Sequence, residues 1–291
     1  MSYKFSVIIA TYNRGEALCN MLDSLFKQEI QPFEIILIDQ TQIHSDKTKE
    51  FLNKYSNKVN RIIQSEPNLP LARNTGLNIS TTEIVIFIDD DIILPNFCFN
   101  NIVPLLTNKV IDGISGLINF EMNKYDLYKS YNINLNEKKL VFVNQFIGAF
   151  MAFRKEIFEK VGYFDINLGR LSSSNYGEDI DFLRRVKKHN YILAIDPTLI
   201  IFHPLGINGG CESRELTILE ALRKNLSANL YIEMKNTNNN GNINLNGWLR
   251  ILRGFLLNKN LFKTGILHTF NKIKILYNNY YTTQDFFLKN K

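Results

Sequence analysis

The sequence lacks a hydrophobic run long enough to cross a membrane or to direct secretion. The apolar run Phe5–Ala10 gives way to polar residues at once, whereas a signal-peptide core takes about 7–15 apolar residues and a membrane-spanning helix about 18 or more. Cysteine is scarce, and Cys19, Cys98 and Cys211 have neither a paired spacing nor the spacing of metal ligands. A disulfide framework is therefore not expected, and these absences together predict a cytoplasmic protein.

Glycine-rich phosphate-binding loops are also missing, because the sequence contains neither a G-x-G-x-x-G nor a Walker motif. The backbone amides of such a loop are therefore not available to hold phosphate. If this protein binds a nucleotide, a metal ion and side chains must hold its phosphates.

Basic charge is concentrated in the C-terminal part of the chain. The 291 residues carry a net charge of +6, but Arg223–Lys291 alone holds 11 Lys and Arg against two acids, a net of +9. Leu249, Leu252, Phe255 and Leu256 are spaced to share one helix face in this part. Two interpretations stay open: peripheral attachment to an anionic membrane, or packing of basic helices on the rest of the protein. Basic and aromatic residues do not form a nucleic-acid-binding motif here, so no nucleic-acid partner is expected.

The N-terminal part alternates between strand and helix patterns. Strands are predicted at Phe5–Ala10, Phe33–Asp39, Val59–Gln64 and Ile84–Ile88, and helices at Glu16–Gln28, Asp46–Tyr55 and Leu71–Asn78, with Pro70 in the first turn of the last helix. This alternation predicts an α/β fold with a mostly parallel sheet flanked by helices.

The rest of the chain has a less regular pattern. Strands are predicted at Ile114–Glu121, Leu140–Phe146, Ile192–Ile195 and Leu199–Phe202, with an apolar approach to another at Gly148–Phe153, and helices at Glu178–Lys188, Glu212–Lys235, Trp248–Leu257 and Leu261–Tyr281. Asn236–Asn246 is polar and turn-prone, which indicates a hinge between helices. We therefore expect a catalytic domain at residues 1–210 and a helical extension at residues 211–291.

Polar side chains follow three of the four N-terminal strands at the point where each strand ends. These are the segments Thr11–Arg14, Asp39–Gln40 and Asp89–Asp91. The carboxyl ends of parallel strands lie along one edge of a sheet, where ligands bind. The sequence therefore predicts a binding site at this edge.

The three consecutive aspartates Asp89, Asp90 and Asp91 are the sharpest local feature. Three adjacent carboxylates stay ionised only with a cation or strong donors beside them. Mg2+ or Mn2+ accepts carboxylate oxygens and keeps positions for phosphate. The alternative is an acidic turn or a helix cap, since a helix is expected after Pro95.

A second acidic group, Glu178, Asp179 and Asp181, opens a predicted helix. Acids at a helix N-terminus are favoured by the helix dipole alone, and the alternative is that one of them is a general base. His203 follows an apolar run. It is either a structural histidine or, if it faces the sheet edge, a metal ligand or phosphate-binding group.

Five segments in this order resemble the family 2 glycosyltransferases, which have the GT-A fold. The segments are VIIATYNR, LPLARNTGL, FIDDDIILP, GAFMAFRKEIFEKVGYFD and GEDIDFLRRV, and the resemblance covers about residues 4–210. It implies an inverting enzyme that transfers a sugar from a nucleoside diphosphate sugar, most readily a UDP-sugar, to a hydroxyl of a surface glycan or lipid-linked acceptor.

The resemblance also implies roles for individual residues. Tyr12 would pack on the base of the donor, Asp39 would accept a hydrogen bond from it, and Arg73 would approach the base or the diphosphate. The donor-binding set as a whole would be Thr11, Tyr12, Arg14, Asp39, Arg73, Asp89 and Asp90.

The metal would be held by Asp91, with Asp89 and His203 as further ligands. Asp90 would point away or cap the following helix. Asp179 would be the catalytic base, with Glu178 beside it.

One segment departs from the family pattern. Many members continue the second strand as D-D-G-S, whereas this chain has Asp39-Gln40-Thr41-Gln42. A nucleotidyltransferase is an alternative on a similar sheet, but it would usually carry a glycine-rich loop after the first strand, where this chain has TYNRG. A noncatalytic nucleotide- or glycan-binding protein is the third alternative, and the acids at positions 89, 91 and 179 argue against it.

Overall fold

The computed structural model describes residues 3–119, 139–169, 177–204, 218–236, 243–256 and 269–289. The chain divides into two compact units: Met1–Phe164 with Phe182–Gly210, and Asp165–Asp181 with Cys211–Lys291. We call the first the sheet unit and the second the helical unit. The expected division into domains at residue 210 stays a prediction.

The sheet unit contains all of the described strands. They are β1 (Ser6–Thr11), β2 (Glu34–Asp39), β3 (Asn60–Ile63), β4 (Ile84–Asp89), β5 (Gly113–Asn119), β6 (Val141–Phe142), β7 (Phe150–Arg154) and β8 (Leu193–Phe202). Its helices are α1 (Glu16–Phe26), α2 (Asp46–Lys54), α3 (Leu69–Ile79), α4 (Cys98–Thr107) and α5 (Glu156–Val161). Helix α6 (Glu178–Lys188) belongs to the helical unit up to Asp181 and to the sheet unit from Phe182 onward.

The strands form one mixed sheet in the order β3-β2-β1-β4-β7-β5-β8-β6. Neighbours among β1 to β4 pair in parallel, as do β5 and β8, whereas β7 runs antiparallel to β4 and β5, and β6 antiparallel to β8. The chain passes from β1 to β2 and β3 on one side and then crosses to β4 on the other. The strand order therefore reverses between β1 and β4, where open α/β sheets bind ligands.

The central strands are apolar along both faces because helices cover the sheet on both sides. On β1, Val7 and Ile9 join one core cluster, and Ile8, between them, joins the other. Successive side chains of a strand point to opposite faces, so one short strand serves two cores. The first cluster includes Leu18 of α1, and the second includes Phe158 of α5.

Helix α3 lies close against β1. A methyl group added at Gly76 would collide with the side chain of Ile8, so the absence of a side chain allows this approach. The helix begins with Pro70 in its first turn, as predicted, and the side chain of Asn68 caps it by accepting a hydrogen bond from the Leu71 N–H at 2.9 Å.

The predicted α/β fold with a mostly parallel sheet is confirmed, but the predictions for four segments need correction. The segments Ile192–Ile195 and Leu199–Phe202 form the single strand β8, which absorbs Asp196 and Pro197 through a register shift opposite Gly116/Leu117 of β5. The carboxylate of Asp196 accepts hydrogen bonds from the backbone and hydroxyl of Thr198. The strand predicted at Leu140–Phe146 is limited to Val141–Phe142. The apolar approach at Gly148–Phe153 is itself the strand β7.

The helical unit contains α7 (Ile218–Asn236), α8 (Leu245–Leu256) and α9 (Thr269–Lys289). The start predicted for α7 at Glu212 lies outside the described residues, and the helix continues one residue past its predicted end at Lys235. Helix α8 starts earlier than predicted and takes in the last residues of the expected hinge, and α9 extends beyond Tyr281. Residues 212–217, 237–242 and 257–268 lie outside the described residues.

The helical unit has its own core. Leu230 and Ile232 of α7 are buried there with Leu168 from the 165–181 segment. In the described part of the chain, no helix combines the length and hydrophobicity needed to cross a membrane.

Candidate active site

The carboxyl ends of β1 and β4 bring two polar segments together. The two strands pair in parallel with Ala10 opposite Asp89, so the loop after Thr11 lies beside the three aspartates. Asn13 holds a left-handed backbone conformation with φ 55°, which asparagine adopts more readily than most residues. Its N–H donates to the Thr41 hydroxyl at 2.9 Å, which fixes the turn.

Asp90 ties these two segments to each other. Its carboxylate accepts hydrogen bonds from the Thr11 hydroxyl at 2.7 Å, from the Tyr12 N–H at 3.3 Å and from Nε of Arg14 at 3.1 Å. Burial raises the pKa of Asp90 to about 7, and the Arg14 guanidinium opposes that rise. Asp90 does not cap the next helix, because α4 begins at Cys98 without a side-chain cap. The other alternative, that Asp90 points away from the metal ligands, stays a prediction.

Asp89, Asp91 and His203 form a group that could hold a metal ion. Each offers one ligand atom, and these atoms lie within 4.8 Å of one another. Nε2 of His203 is 3.5 Å from Oδ1 of Asp91. Two carboxylates suit Mg2+ and Mn2+, and an imidazole nitrogen suits a transition metal. The residue types therefore fit Mn2+ somewhat better than Mg2+.

His203 reaches the aspartates because the end of β8 pairs with the segment after β4. The Ile93 N–H donates to the Phe202 carbonyl at 2.8 Å, and the Phe202 N–H donates back at 3.2 Å. The His203 N–H then donates to the Asn119 carbonyl at 2.9 Å. These backbone bonds fix the histidine against the sheet edge.

Arg14 supplies a positive charge inside this acidic group. Its Nη2 is 2.6 Å from Oδ2 of Asp91, and its Nε is the donor to Asp90. Oδ1 of Asp91 is the oxygen nearer His203. The two oxygens of Asp91 therefore serve different partners, one the guanidinium and the other the candidate metal group.

Arg73 holds Asp89 in place through a hydrogen bond. The arginine is almost fully buried, and its Nη2 donates to Oδ1 of Asp89 at 3.1 Å and to the Gly148 carbonyl at 3.0 Å. Its Cζ lies 5.6 Å from the ring centre of Phe164, within cation–π range. The predicted approach of Arg73 to the donor stays a prediction, and its contact with Asp89 orients a candidate metal ligand.

Asp39 is at the same sheet edge, but its carboxylate has its own partners. Oδ2 lies 2.7 Å from Nε2 of His44 and 2.8 Å from Nε of Arg61, and Oδ1 accepts a hydrogen bond from the Thr41 N–H at 2.9 Å. The side chain is completely buried. A donor base that hydrogen-bonds to Asp39 would have to compete with these groups. Sequence reasoning missed His44 and Arg61, because an isolated histidine and a surface arginine carry no recognisable pattern.

Gln40 explains how the sheet edge accommodates the departure from the D-D-G-S pattern. Its N–H donates to the Thr11 carbonyl at 3.0 Å. Its side-chain oxygen accepts hydrogen bonds from the Asn68 N–H at 2.6 Å and from the Gln64 amide at 3.2 Å. The glutamine thus joins the ends of β1, β2 and β3 to the start of α3.

Glu178 and Asp179, the predicted catalytic pair, lie in the helical unit at the start of α6. Gly177 begins this turn with φ 96°, a conformation suited to glycine, and its carbonyl accepts a hydrogen bond from the Asp181 N–H at 3.0 Å. Glu178 is buried, whereas Asp179 is half-buried. Asp181 is engaged by Lys235 at 3.1 Å. The role of Glu178 and Asp179 as the base stays a prediction.

The structure thus divides the predicted site residues into three groups. Seven of them, Thr11, Tyr12, Arg14, Arg73, Asp89, Asp90 and Asp91, lie together at the ends of β1 and β4, and His203 joins them. Asp39 is one strand away with separate partners, and Glu178 and Asp179 belong to the other unit.

Comparison with known proteins gives a consistent assignment. The chain matches glycosyl transferase family 2 over residues 6–162. It is 22% identical over 218 residues to the uncharacterized glycosyltransferase YwdF of Bacillus subtilis, an alignment that covers 73% of this chain and 78% of that protein. It is 36% identical over 94 residues to the poly(ribitol-phosphate) beta-N-acetylglucosaminyltransferase TarS of Staphylococcus aureus, which covers 30% of this chain and only 16% of that protein.

Among solved structures, a mannosyltransferase from Pyrobaculum calidifontis in complex with GDP-Man and Mn2+ is similar to this chain. The TM-score is 0.62 at 16% identity, and the match covers 99% of this chain and 86% of the other. At this identity the likeness shows a shared fold, and the ligands named belong to that protein.

Proposed function

Because the chain belongs to glycosyl transferase family 2, we propose that it transfers a sugar from a nucleoside diphosphate sugar to an acceptor hydroxyl, with inversion at the anomeric carbon. The family and the GT-A fold expected from the sequence are confirmed. A single displacement with inversion requires one general base and no enzyme nucleophile. We also propose which residues perform this reaction, which donor is used and which acceptor receives the sugar.

The observation that carries the proposal is the group formed by Asp89, Asp91 and His203 at the switch point of the sheet. These residues would hold Mn2+ or Mg2+ beside the diphosphate of the donor. The bound cation would neutralise the negative charge that develops on the diphosphate leaving group. Metal-assisted binding also fits the absence of a glycine-rich phosphate loop in the sequence.

The surrounding side chains keep this site in one geometry. Arg73 anchors Asp89, and Arg14 fixes one oxygen of Asp91. The nucleoside would lie on the loop after β1. This loop is held in place because the Thr11 hydroxyl and the Tyr12 N–H donate hydrogen bonds to the buried carboxylate of Asp90. Ligands held in this way need little rearrangement when the donor binds.

Asp179 is our candidate for the general base, with Glu178 beside it. Asp179 is half-buried, and its Oδ1 accepts a hydrogen bond from the Ile180 N–H at 2.8 Å. A base in this position would remove the proton from the acceptor hydroxyl as that oxygen attacks the anomeric carbon.

We propose a UDP-sugar as the donor and a hydroxyl of a surface glycan or lipid-linked glycan as the acceptor. The acceptor class is supported by relatives named for the glycosylation of poly(ribitol phosphate) and for amylovoran biosynthesis. The alternative donor is a GDP-sugar, because the similar mannosyltransferase is in complex with GDP-Man. A panel of nucleotide sugars, assayed for transfer or hydrolysis, distinguishes the two bases.

The direct test is thermal unfolding with UDP or GDP, in the presence of Mn2+ or of EDTA. A nucleotide at about 100 times its Kd adds about 2.7 kcal/mol of stability. We expect this gain with Mn2+ and not with EDTA. If no nucleoside diphosphate stabilises the protein under either condition, the proposed function is wrong.

Two variants separate metal binding from chemistry. Asp91→Ala should abolish the Mn2+-dependent stabilisation by the nucleotide, because it removes a metal ligand. Asp179→Asn should keep that stabilisation and lower turnover by about 100-fold or more. Turnover near the wild-type rate in Asp179→Asn would refute the assignment of the base.

A further inference from the structure

The helical unit exposes apolar side chains on one face of each of two helices. On α8, Leu245 is 74% exposed and Leu249 is 55% exposed. On α9, Tyr277, Tyr281 and Leu288 are exposed as well. The spacings of four and eleven residues place the members of each set on the same side of their helix. We call these five residues the exposed apolar face.

Aromatic rings join the two helices of this face within the helical unit. The ring of Trp248 on α8 lies 5.2 Å from that of Tyr280 on α9. Tyr280 is 5.2 Å from Tyr281, which is in turn 4.6 Å from Tyr277. Tyr277 and Tyr281 of the exposed apolar face thus belong to an aromatic cluster that reaches α8 through Trp248.

The sequence segment that contains this face is basic, whereas the 165–181 part of the same unit carries the acids Asp165, Glu178, Asp179 and Asp181. The segment Arg223–Lys291 carries a net charge of +9, and its only two acids are Glu233 and Asp285. Glu233 is buried and paired with Arg250, and Asp285 is paired with Lys289. Both acids of this segment are thus paired, and the net positive charge of the segment favours an anionic partner.

We propose that the exposed apolar face binds the surface of an anionic lipid bilayer. Leucine side chains can enter the boundary between headgroups and acyl chains, and tyrosine is enriched at that depth because its ring is apolar and its hydroxyl is polar. The net positive charge of the segment adds attraction to anionic headgroups. A soluble anionic polymer would be attracted by the same charge, but it would gain little from exposed leucines.

This inference does not depend on the donor or on the chemistry of transfer. All of its residues lie in the helical unit, whereas the candidate metal group lies in the sheet unit. A protein attached in this way would meet a lipid-linked acceptor in two dimensions instead of three.

The test is sedimentation of the full-length protein with vesicles. One set consists of phosphatidylcholine alone, and the other of phosphatidylcholine and phosphatidylglycerol in equal parts. We expect binding to the anionic vesicles, weaker binding at high salt because charges are screened, and little binding to the neutral ones. Absence of binding to the anionic vesicles at low salt would overturn the proposal.

The double variant Leu245→Gln/Leu249→Gln tests the role of the apolar side chains. On binding, the two leucines would bury their apolar surface in the bilayer. Without that surface, the affinity for anionic vesicles should fall by about tenfold or more. The matched control is Val110→Gln/Ile192→Gln, which changes two exposed apolar residues of the sheet unit and should alter binding by less than about twofold. Far-UV circular dichroism and stabilisation by UDP with Mn2+ show whether each variant is folded and binds the donor.

Two results would refute the membrane assignment. The first is unchanged vesicle binding in the leucine variant. The second is that soluble polyphosphate binds the wild type and the leucine variant equally while neither protein binds vesicles. In that case the basic segment would bind an anionic polymer and not a membrane. If the wild type does not bind the donor, the proposed function is contradicted. The vesicle result would still decide the membrane proposal, because the two measurements are independent.

Discussion

Replacing Lys235 by methionine should destabilise the helical unit strongly at neutral pH. The ammonium of Lys235 lies 2.7 Å from a carboxylate oxygen of Asp165 and 3.1 Å from one of Asp181. The side chains of these acids are only 13% and 3% exposed. Methionine has a similar length and no charge, so two largely buried carboxylates would lose their shared cation.

The size of the effect follows from this burial. Removing one partner of a fully buried ion pair costs about 3–5 kcal/mol. The Lys235 side chain is 32% exposed, so water reaches part of this site and reduces the cost. We therefore expect a loss of about 2–3 kcal/mol in the free energy of unfolding.

The matched control is Lys289→Met. Lys289 pairs with Asp285 at 2.7 Å, but both side chains are mostly exposed. Pairs of this kind contribute about 0.5 kcal/mol or less. The two variants make the same chemical change, and the lysines differ in burial and in the number of acids that they contact.

The loss in Lys235→Met should depend on pH. Burial tends to raise the pKa of Asp165, but the charge and hydrogen bond of Lys235 bring the pKa below its ordinary value. A carboxyl group whose pKa is lower in the folded state stabilises the protein above its unfolded pKa of about 3.9. That stability disappears as the pH falls through the folded pKa. The difference between the variant and the wild type should therefore be full at neutral pH and shrink below about pH 4.

The assay is urea denaturation followed by tryptophan fluorescence. The chain has one tryptophan, Trp248, which is partly buried and packs against the core of the helical unit, so its emission reports on that unit. The reasoning is refuted if Lys235→Met is as mild as Lys289→Met. A loss that stays the same from neutral to acidic pH would refute the electrostatic explanation in particular.

Three further substitutions test contacts in the sheet unit. Gly76→Ala should cost about 1–3 kcal/mol in urea denaturation, because its methyl group collides with Ile8; an unchanged midpoint would show that α3 can move away from β1. Thr11→Val removes one hydrogen bond to the buried Asp90 and should cost about 1–2 kcal/mol, with a stability equal to the wild type as the contrary result. Arg73→Lys keeps the charge but cannot bridge the carboxylate and the carbonyl with the same geometry, so the apparent Kd for Mn2+ should rise about tenfold by calorimetry; an unchanged Kd would contradict its positioning role.

Much of the fold could be predicted because local pattern and overall architecture agree. In β1, β2 and β4, short runs of Ile, Val and Leu end at polar residues and alternate with amphipathic helices, which is typical of buried parallel strands. The antiparallel strand β7 was harder to predict, because its pairing with β4 and β5 joins segments that are far apart in sequence. The bulge in β8 was misread as a break, because Pro197 ordinarily interrupts a strand and nothing local indicates that the strand resumes in the same sheet.

The site could be predicted in part for a similar reason. The ends of parallel strands must share an edge, so the proximity of Thr11 and Asp89 follows from topology. The contacts of Asp39 with His44 and Arg61 depend on long side chains from a loop and an edge strand. Such contacts are decided by rotamers and packing, which a single sequence does not reveal.

The bridge between Ile93 and Phe202 has a consequence for the order in which the protein matures. The two aspartates of the candidate metal group are made early in synthesis, and the imidazole of His203 arrives with the last strand of the sheet. A shortened chain that stops before β8 would keep the acidic pair and lose the nitrogen ligand. The affinity for the cation would then show whether β8 has paired with the segment after β4. The full free energy of ion binding would be gained only once that pairing has formed.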